Sequence, residues 1–280
     1  MRVDLCGVRG STPAPGSDFA RYGGHTSCVA VSRDGAAPSL VLDAGTGLRR
    51  LSALLGSAPF RGTILLGHLH WDHTHGLPFF SAGDHPGAEV SIRLPAQGED
   101  PRALLDRFLS PPNFPITIAG LQGAWNCAGI DEGRHTLEGF SVLAREIPHK
   151  GGRTFGYRVE GGRSTIAYLS DHSPISLGPG SAGLGPCHEA ARELAAGADL
   201  LIHDAQYTTE ELLGSRRRGF GHSAIDYAIE LGREAGARRV LLFHHDFNRT
   251  DAELDAIAAA CAHREVPVDV AVEGLVVELP

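Results

Sequence analysis

Short apolar runs separated by polar and glycine-containing turns divide the chain into two sets of predicted β-strands. The first set falls at 3–8, 27–32, 39–43, 63–67 and 89–94, and the second at 139–146, 154–159, 165–169, 199–203, 239–243 and 268–278. Helical periodicity predicts α-helices near 45–56, 101–109, 187–197, 222–235 and 250–263. The later helices alternate with the later strands, which favours two mixed sheets packed face to face with helices outside.

Four potential metal ligands, His68, His70, Asp72 and His73, follow directly after the apolar run at 63–67. A strand that delivers imidazoles at i and i+2 and then turns can present all four at one point. Imidazole suits zinc or a similar divalent ion, and fewer than four protein ligands leave a position for water. Two metals about 3.5–4 Å apart can share that water and lower its pKa. The spacing favours a two-metal hydrolase over a surface cluster or hydrogen-bonded core histidines.

The run His68-x-His70-x-Asp72-His73, followed by Gly76, resembles the signature of the metallo-β-lactamase superfamily. The resemblance implies an α/β fold, the αββα sandwich, over nearly the whole chain. It also implies a third His, a bridging Asp and a final His at the C-terminal ends of later strands, where α/β sheets place their sites. The implied ligands are His68, His70 and His149 for the first metal, Asp72, His73 and His244 for the second, and Asp171 between them.

Two later segments narrow the resemblance to one branch of the superfamily. Segments 201–207 and 221–224 resemble the paired motifs of ribonuclease Z-like phosphodiesterases, in which an acidic residue orients a proton-donating His. That pair is Asp204 and His222 here, and a general acid is what an alkoxide leaving group needs. The Gly-His-Ser segment could also simply cap the following helix, with Ser223 as the N-cap, and both roles can hold at once. His70 stands where the redox di-iron branch carries Glu, and this favours zinc, with manganese as the alternative.

The function that these resemblances imply is a metal-dependent phosphodiesterase. Two divalent ions per chain hold a bridging hydroxide that attacks a small, in some cases cyclic, phosphodiester, and the catalytic residues are Asp72, Asp204 and His222. Two other functions stay open. One is a lactone or thioester hydrolase of the same fold, and the other is a metal-containing sensor without turnover.

Composition limits the partners. The formal net charge of −8 argues against a large nucleic acid, whose binding needs many Lys and Arg contacts, although a basic run stands at 216–218. A small anionic substrate fits better. No apolar stretch is long enough to span a membrane, and five scattered cysteines indicate no disulfide framework. We therefore expect a cytoplasmic protein with no membrane association.

Length and apolar content predict one domain over 1–280, with an insertion at 77–137 over the metal site. That segment is rich in Pro, Gly and Phe. It is predicted to be a substrate-shaping wall, a surface for a homodimer, or a small satellite core, and these alternatives stay open.

The remaining histidines are not assigned as ligands. We expect His75 on a helix surface or in the pocket, and His25 solvated in a loop, although the resemblance predicts Asn there. His172 and His245 adjoin ligands and are expected to support them as hydrogen-bond donors. His203 fits a hydrogen-bonded core residue.

Overall fold

Two β-sheets of seven strands each lie at the centre of the part of the chain that the structure describes. The structure is a computed structural model and describes residues 1–214 and 216–280; the side chain of Arg216, in the predicted basic run, lies outside it. The strands are β1 (Arg2–Gly7), β2 (Cys28–Ser32), β3 (Leu40–Leu42), β4 (Arg61–Leu65), β5 (Glu89–Pro95), β6 (Ala124–Ile130), β7 (Gly133–Leu137), β8 (Phe140–Glu146), β9 (Phe155–Gly161), β10 (Ser164–Leu169), β11 (Leu200–Asp204), β12 (Val240–Phe243), β13 (Val268–Val270) and β14 (Val276–Glu278). The α-helices are α1 (Leu48–Leu55), α2 (Pro101–Asp106), α3 (Glu189–Ala195), α4 (Thr209–Gly214), α5 (Ile225–Glu234) and α6 (Asp251–Cys261).

The strand order explains how the carboxyl ends of distant strands meet. The first sheet runs β14-β1-β2-β3-β4-β5-β6 and the second β13-β12-β11-β10-β9-β8-β7. The strands β3 to β6 are parallel to one another, and so are β10 to β13. Two antiparallel pairings separate β8 from β10, so β8 points the same way as β10. The carboxyl ends of β8, β10, β11 and β12 therefore lie along one edge of the second sheet.

Three apolar clusters hold the layers together. The central cluster lies between the sheets and includes Leu5, Val31, Tyr157, Ile202 and Phe243. A second cluster packs the outer face of the second sheet against α3, α5 and α6, and a third packs the outer face of the first sheet against α1 and α2. The order of layers is therefore helix, sheet, sheet, helix, and the αββα sandwich predicted from sequence is confirmed.

The predicted strand at 268–278 is two strands in different sheets, which corrects the expectation of one. Val268–Val270 pairs with β12 in the second sheet, whereas Val276–Glu278 pairs with β1 in the first. Gly274 lies between them at φ +89°, a conformation that favours glycine, and its N–H bonds the carbonyl of Leu5. The chain crosses from one sheet to the other at this turn.

The predicted insertion at 77–137 supplies strands to both sheets. It contains β5 and β6, which extend the first sheet, and β7, at the edge of the second. The segment between β5 and β6 carries α2, whose Leu104 and Leu105 are buried in the third cluster. Sequence periodicity did not predict β6 or β7, because neither alternates apolar and polar residues: β7 reads Gly-Arg-His-Thr-Leu, and β6 reads Ala-Trp-Asn-Cys-Ala-Gly-Ile.

A buried arginine fixes the loop that follows β12. The Arg9 side chain is fully buried and donates to the carbonyl oxygens of Gly23, Asp246 and Arg249 at 2.8, 3.2 and 2.6 Å. Burial lowers the pKa of Arg9, and Asp251, 3.9 Å away, partly offsets this. Backbone carbonyls inside a protein need donors, so the Arg9 side chain stabilises this loop in addition to the β-bridge between Arg9 and His245.

Replacing Arg9 should destabilise the whole fold. Arg9→Met removes these bonds and leaves buried carbonyls unpaired, so we expect unfolding in urea to show a loss of about 3 kcal/mol. Arg21→Met is the control, because the Arg21 side chain is 61% exposed and pairs with Asp255 at the surface, where such pairs contribute about 0–1 kcal/mol. Equal losses for the two variants would contradict this account of Arg9.

Candidate metal centre

The sequence-predicted ligands converge where the strands end. His68, His70, Asp72 and His73 follow β4, the last two in a short 3₁₀ turn at Trp71–His73. His149 follows β8, Asp171 follows β10 and His244 follows β12. His244 lies at φ +59°, and a Cβ added to Gly10 would come within 2.4 Å of its ring. Glycine at position 10 therefore leaves the space that the His244 ring occupies.

Asp171 joins two groups of side chains. Its Oδ2 atom lies 2.8 Å from His73 Nε2 and 3.2 Å from His244 Nε2, and its Oδ1 atom lies 3.6 Å from His149 Nε2. Two of the groups whose ligand atoms lie within 4.8 Å of one another are His68, His70 and His149, and Asp72, His73 and His244. These are the two triads that the resemblance implied, with Asp171 between them.

The donor atoms fit divalent cations. Among the described residues, His68 Nε2 is buried with no hydrogen-bond partner, and His73 Nε2 and Asp171 Oδ2 lie 2.8 Å apart without a hydrogen bond between them. Polar atoms that a protein buries are normally satisfied, so these atoms fit the role of ligands to a cation. Burial lowers the pKa of His68 well below its usual range and leaves the ring neutral, as a metal ligand must be.

The carboxylates make the cavity receptive to positive charge. Burial by itself would raise the pKa of Asp171, but His244, His73 and His68 hold it well below its usual range. Burial would likewise lower the pKa of His244, and Asp171 and Asp72 instead raise it to about 9. The carboxylates thus favour positive charge on the imidazoles. Bound divalent ions can supply that positive charge in place of the protons.

Asp43 is a residue that sequence reasoning did not assign to the site. Its buried carboxylate accepts from His73 Nδ1 and the Tyr168 hydroxyl, both at 2.7 Å, and from the Gly67 N–H at 2.7 Å. The bond to His73 places the ring hydrogen on Nδ1 and turns Nε2 toward Asp171. Carboxylates behind ligating histidines orient them in this way. The sequence feature that could have identified Asp43 is its position directly after β3, the strand that pairs with β4.

The Asp204 and His222 side chains meet at the edge of this cluster. His222 Nδ1 lies 3.0 Å from Asp204 Oδ2 and 3.4 Å from Asp171 Oδ1. Asp204 also accepts from the backbone N–H groups of His172 and Gln206 at 3.2 and 3.1 Å. Ser223 does not cap α5, whose N-cap residue is Ala224, and its hydroxyl donates to the His172 carbonyl at 2.6 Å. The capping alternative is therefore wrong.

The unassigned histidines lie outside the two triads. His75 is exposed and stacks on Trp71, with ring centroids 5.5 Å apart. His25 is partly buried, and its Nδ1 atom lies 3.1 Å from Thr46 Oγ1, which corrects the expectation of a solvated loop residue.

The histidines that adjoin ligands do not support them. His245 donates to the Ala271 carbonyl, and burial lowers its pKa to about 3. The His172 and His203 rings bond to each other.

Two clefts open beside the cluster, and Trp71 lines both. The larger, of about 560 Å³, is lined by His70, Asp171, Tyr207, Arg217, Phe220, His222 and Asn248 among others. The smaller, of about 460 Å³, is lined by His68, Gln97, Arg107, Phe108 and Arg153 among others. Leu69 and Trp71 belong to both walls. The segment after β5 therefore contributes part of the smaller cleft.

Comparison with known proteins identifies the family. Residues 39–245 match the model of the beta-lactamase superfamily domain. The chain belongs to this superfamily. Ribonuclease Z of Salinibacter ruber is 26% identical over 87% of this chain and 85% of that protein, and ribonuclease BN of Erwinia tasmaniensis is 33% identical over 69% and 76%. The resemblance to the ribonuclease Z branch is thereby confirmed, and the chain is a metallo-β-lactamase superfamily hydrolase.

Solved structures share the fold. The short form of human tRNase Z superposes with a TM-score of 0.67 at 20% identity, covering 100% of both chains. A structure described as a new diphosphatase from the PhnP family superposes with a TM-score of 0.71 at 18% identity, covering 100% of this chain and 98% of that one. No helix in the described ranges is long and apolar enough to cross a bilayer.

Changing Asp43 should weaken metal binding without removing a ligand. Asp43→Asn loses the acceptor that orients His73, so we expect zinc affinity to fall roughly 10- to 100-fold in calorimetric titrations of metal-free protein. His68→Ala should instead lower the number of ions bound per chain, measured by elemental analysis. His135→Ala, on the half-exposed strand β7, serves as the control. Unchanged affinity in Asp43→Asn would show that Asp43 does not orient the site.

Proposed function

We propose that the chain is a binuclear metal-dependent phosphodiesterase that cleaves a small phosphodiester, cyclic diesters included. The observation that carries the proposal is the contact of the Asp204–His222 pair with Asp171, the carboxylate shared by both ligand triads. A proton donor beside a metal cluster suits an ester whose leaving oxygen must be protonated.

The metal ions are assigned to the two triads. His68, His70 and His149 would hold one ion, Asp72, His73 and His244 the other, and Asp171 both. Nitrogen-rich sets with carboxylates favour zinc, with manganese as the alternative. When bound, two such ions supply Lewis acidity that activates water near neutral pH and offsets the negative charge that develops on phosphate.

His222 is assigned as the general acid. Asp204 accepts the hydrogen on His222 Nδ1, so Nε2 is the ring atom left for the cleft. In the proposed step, the cationic His222 ring, paired through Nδ1–H with the carboxylate of Asp204, gives its Nε2 proton to the departing ester oxygen and becomes neutral. The backbone N–H groups of His172 and Gln206 hold that carboxylate in place.

The larger cleft supports a small substrate with a planar group. Trp71 and Phe220 are 66% and 58% exposed on its walls, and flat apolar surfaces of this kind bind aromatic rings. Arg217 brings a positive charge to the same cleft, although Glu211 pairs with it at 3.0 Å. A cleft of about 560 Å³ in a protein of net charge −8 fits a small anionic diester better than a long RNA.

The general-acid role is tested by the leaving group. We expect His222→Ala to keep both ions and to lower kcat roughly 10²- to 10⁴-fold with an alkyl ester, because the alkoxide then departs unprotonated. The loss should be much smaller with a nitrophenyl ester, whose phenolate leaves without a proton. Asp204→Asn should show a milder form of the same trend. Loss of metal, or equal defects with both esters, would refute the role.

Substrate class is tested by comparing a diester with its monoester. The purified, zinc-loaded protein should cleave bis(p-nitrophenyl) phosphate once and leave the resulting monoester largely intact, because the proposed site binds a single negative charge. Phosphorus NMR of the product distinguishes one cleavage from two. Faster hydrolysis of the monoester would indicate a phosphatase, and hydrolysis of lactones or thioesters alone would contradict the proposal.

A further inference from the structure

Two fully buried histidines lie behind the proposed acid and belong to neither ligand triad. His172 follows Asp171 after β10, and His203 lies in the adjacent parallel strand β11, paired with Leu169. His172 Nδ1 and His203 Nε2 are 2.9 Å apart, and the ring centroids are separated by 5.1 Å. The rings therefore join the ends of two neighbouring strands.

The hydrogen bonds determine which nitrogen of each ring carries hydrogen. His203 Nδ1 lies 2.7 Å from the Asp204 carbonyl oxygen, which can only accept, so Nδ1 carries the hydrogen. His203 Nε2 then accepts, and His172 Nδ1 must be its donor. Among the described residues, the remaining atom, His172 Nε2, is buried without a hydrogen-bond partner. The bonds thus run in one direction, from His172 through His203 to the backbone of Asp204.

The backbone of His172 contacts Asp204 and the residue that follows His222. Its N–H donates to Asp204 Oδ2 at 3.2 Å, and its carbonyl accepts from the hydroxyl of Ser223, the neighbour of His222, at 2.6 Å. His172 is also the residue after Asp171, which contacts both triads. One residue therefore connects the shared carboxylate, the carboxylate behind the acid and the segment that carries the acid.

We propose that the His172–His203 pair is a positioning device that fixes the Asp204–His222 acid relative to Asp171. This inference rests on the proposed phosphodiesterase function. Neither ring belongs to a ligand triad or lines the larger cleft, so both are positioning residues. Buried hydrogen bonds hold geometry tightly at low dielectric, and a displacement of about 1 Å at a reacting group can lower a rate roughly 10²-fold.

The test compares two amides at position 203. In His203→Gln the terminal amide reaches the place of Nε2 and keeps an acceptor for His172, whereas in His203→Asn the shorter amide replaces only Nδ1 and loses that acceptor. Tyr227→Phe is the control. The Tyr227 ring centroid lies 5.5 Å from that of His172 and 5.9 Å from that of His203, but its hydroxyl donates to the Pro186 carbonyl and to neither histidine ring. All three variants are checked for two-ion metal content and melting temperature.

We expect His203→Asn to lower kcat roughly 10- to 100-fold with an alkyl ester and less than about threefold with a nitrophenyl ester. His203→Gln should recover most of the loss, and Tyr227→Phe should match the wild type with both esters. Equal losses with both esters, no recovery in His203→Gln, or the same defect in Tyr227→Phe would each overturn the positioning role.

A second measurement separates this inference from the proposed function. In zinc-loaded, ¹⁵N-labelled protein, the ring-nitrogen signals of His222 should shift in His203→Asn and stay near their wild-type positions in His203→Gln. That readout needs no turnover. A wild-type protein that cleaves no diester overturns the proposed function, while unchanged His222 signals in His203→Asn overturn the positioning role.

Discussion

The architecture of the site depends on burying the carboxylate of Asp171. The residue is 2% exposed, and an isolated anion at that depth would be strongly unfavourable. The imidazoles of His244, His73 and His68 offset this charge. Around the carboxylate, the rings of His73, His149, His222 and His244 all lie within 3.6 Å of its oxygens. Each of these histidines is in turn bonded to another group, so the position of one charge constrains several loops at once.

Much of this arrangement was readable from the chain because strand ends carry a local signal. An apolar run that stops at His or Asp marks the end of a buried strand, and parallel strands bring such ends together. His68 to His73, Asp171 and His244 were placed in this way, with the help of the resemblance. The structure brings them together; their role as metal ligands stays a prediction.

What sequence did not reveal depends on contacts between distant segments. In the sequence, Asp43 is an acidic residue at a strand end like others. Its role depends on its hydrogen bonds to His73 and Tyr168, which only the structure shows. Arg9 sits in an apolar, glycine-containing run and gives no hint that it serves carbonyls 237 and 240 residues away. Strands β6 and β7 lack the alternation that periodicity detects, and only a turn at Gly274 separates β13 from β14.

Trp71 lines both clefts beside the cluster, whereas the other aromatic walls belong to one cleft each: Phe220 to the cleft beside His222 and Phe108 to the cleft beside His68. A substitution of Trp71 therefore alters both openings at once, whereas a substitution of Phe220 or Phe108 alters one. The shape of the two openings is coupled through a single indole.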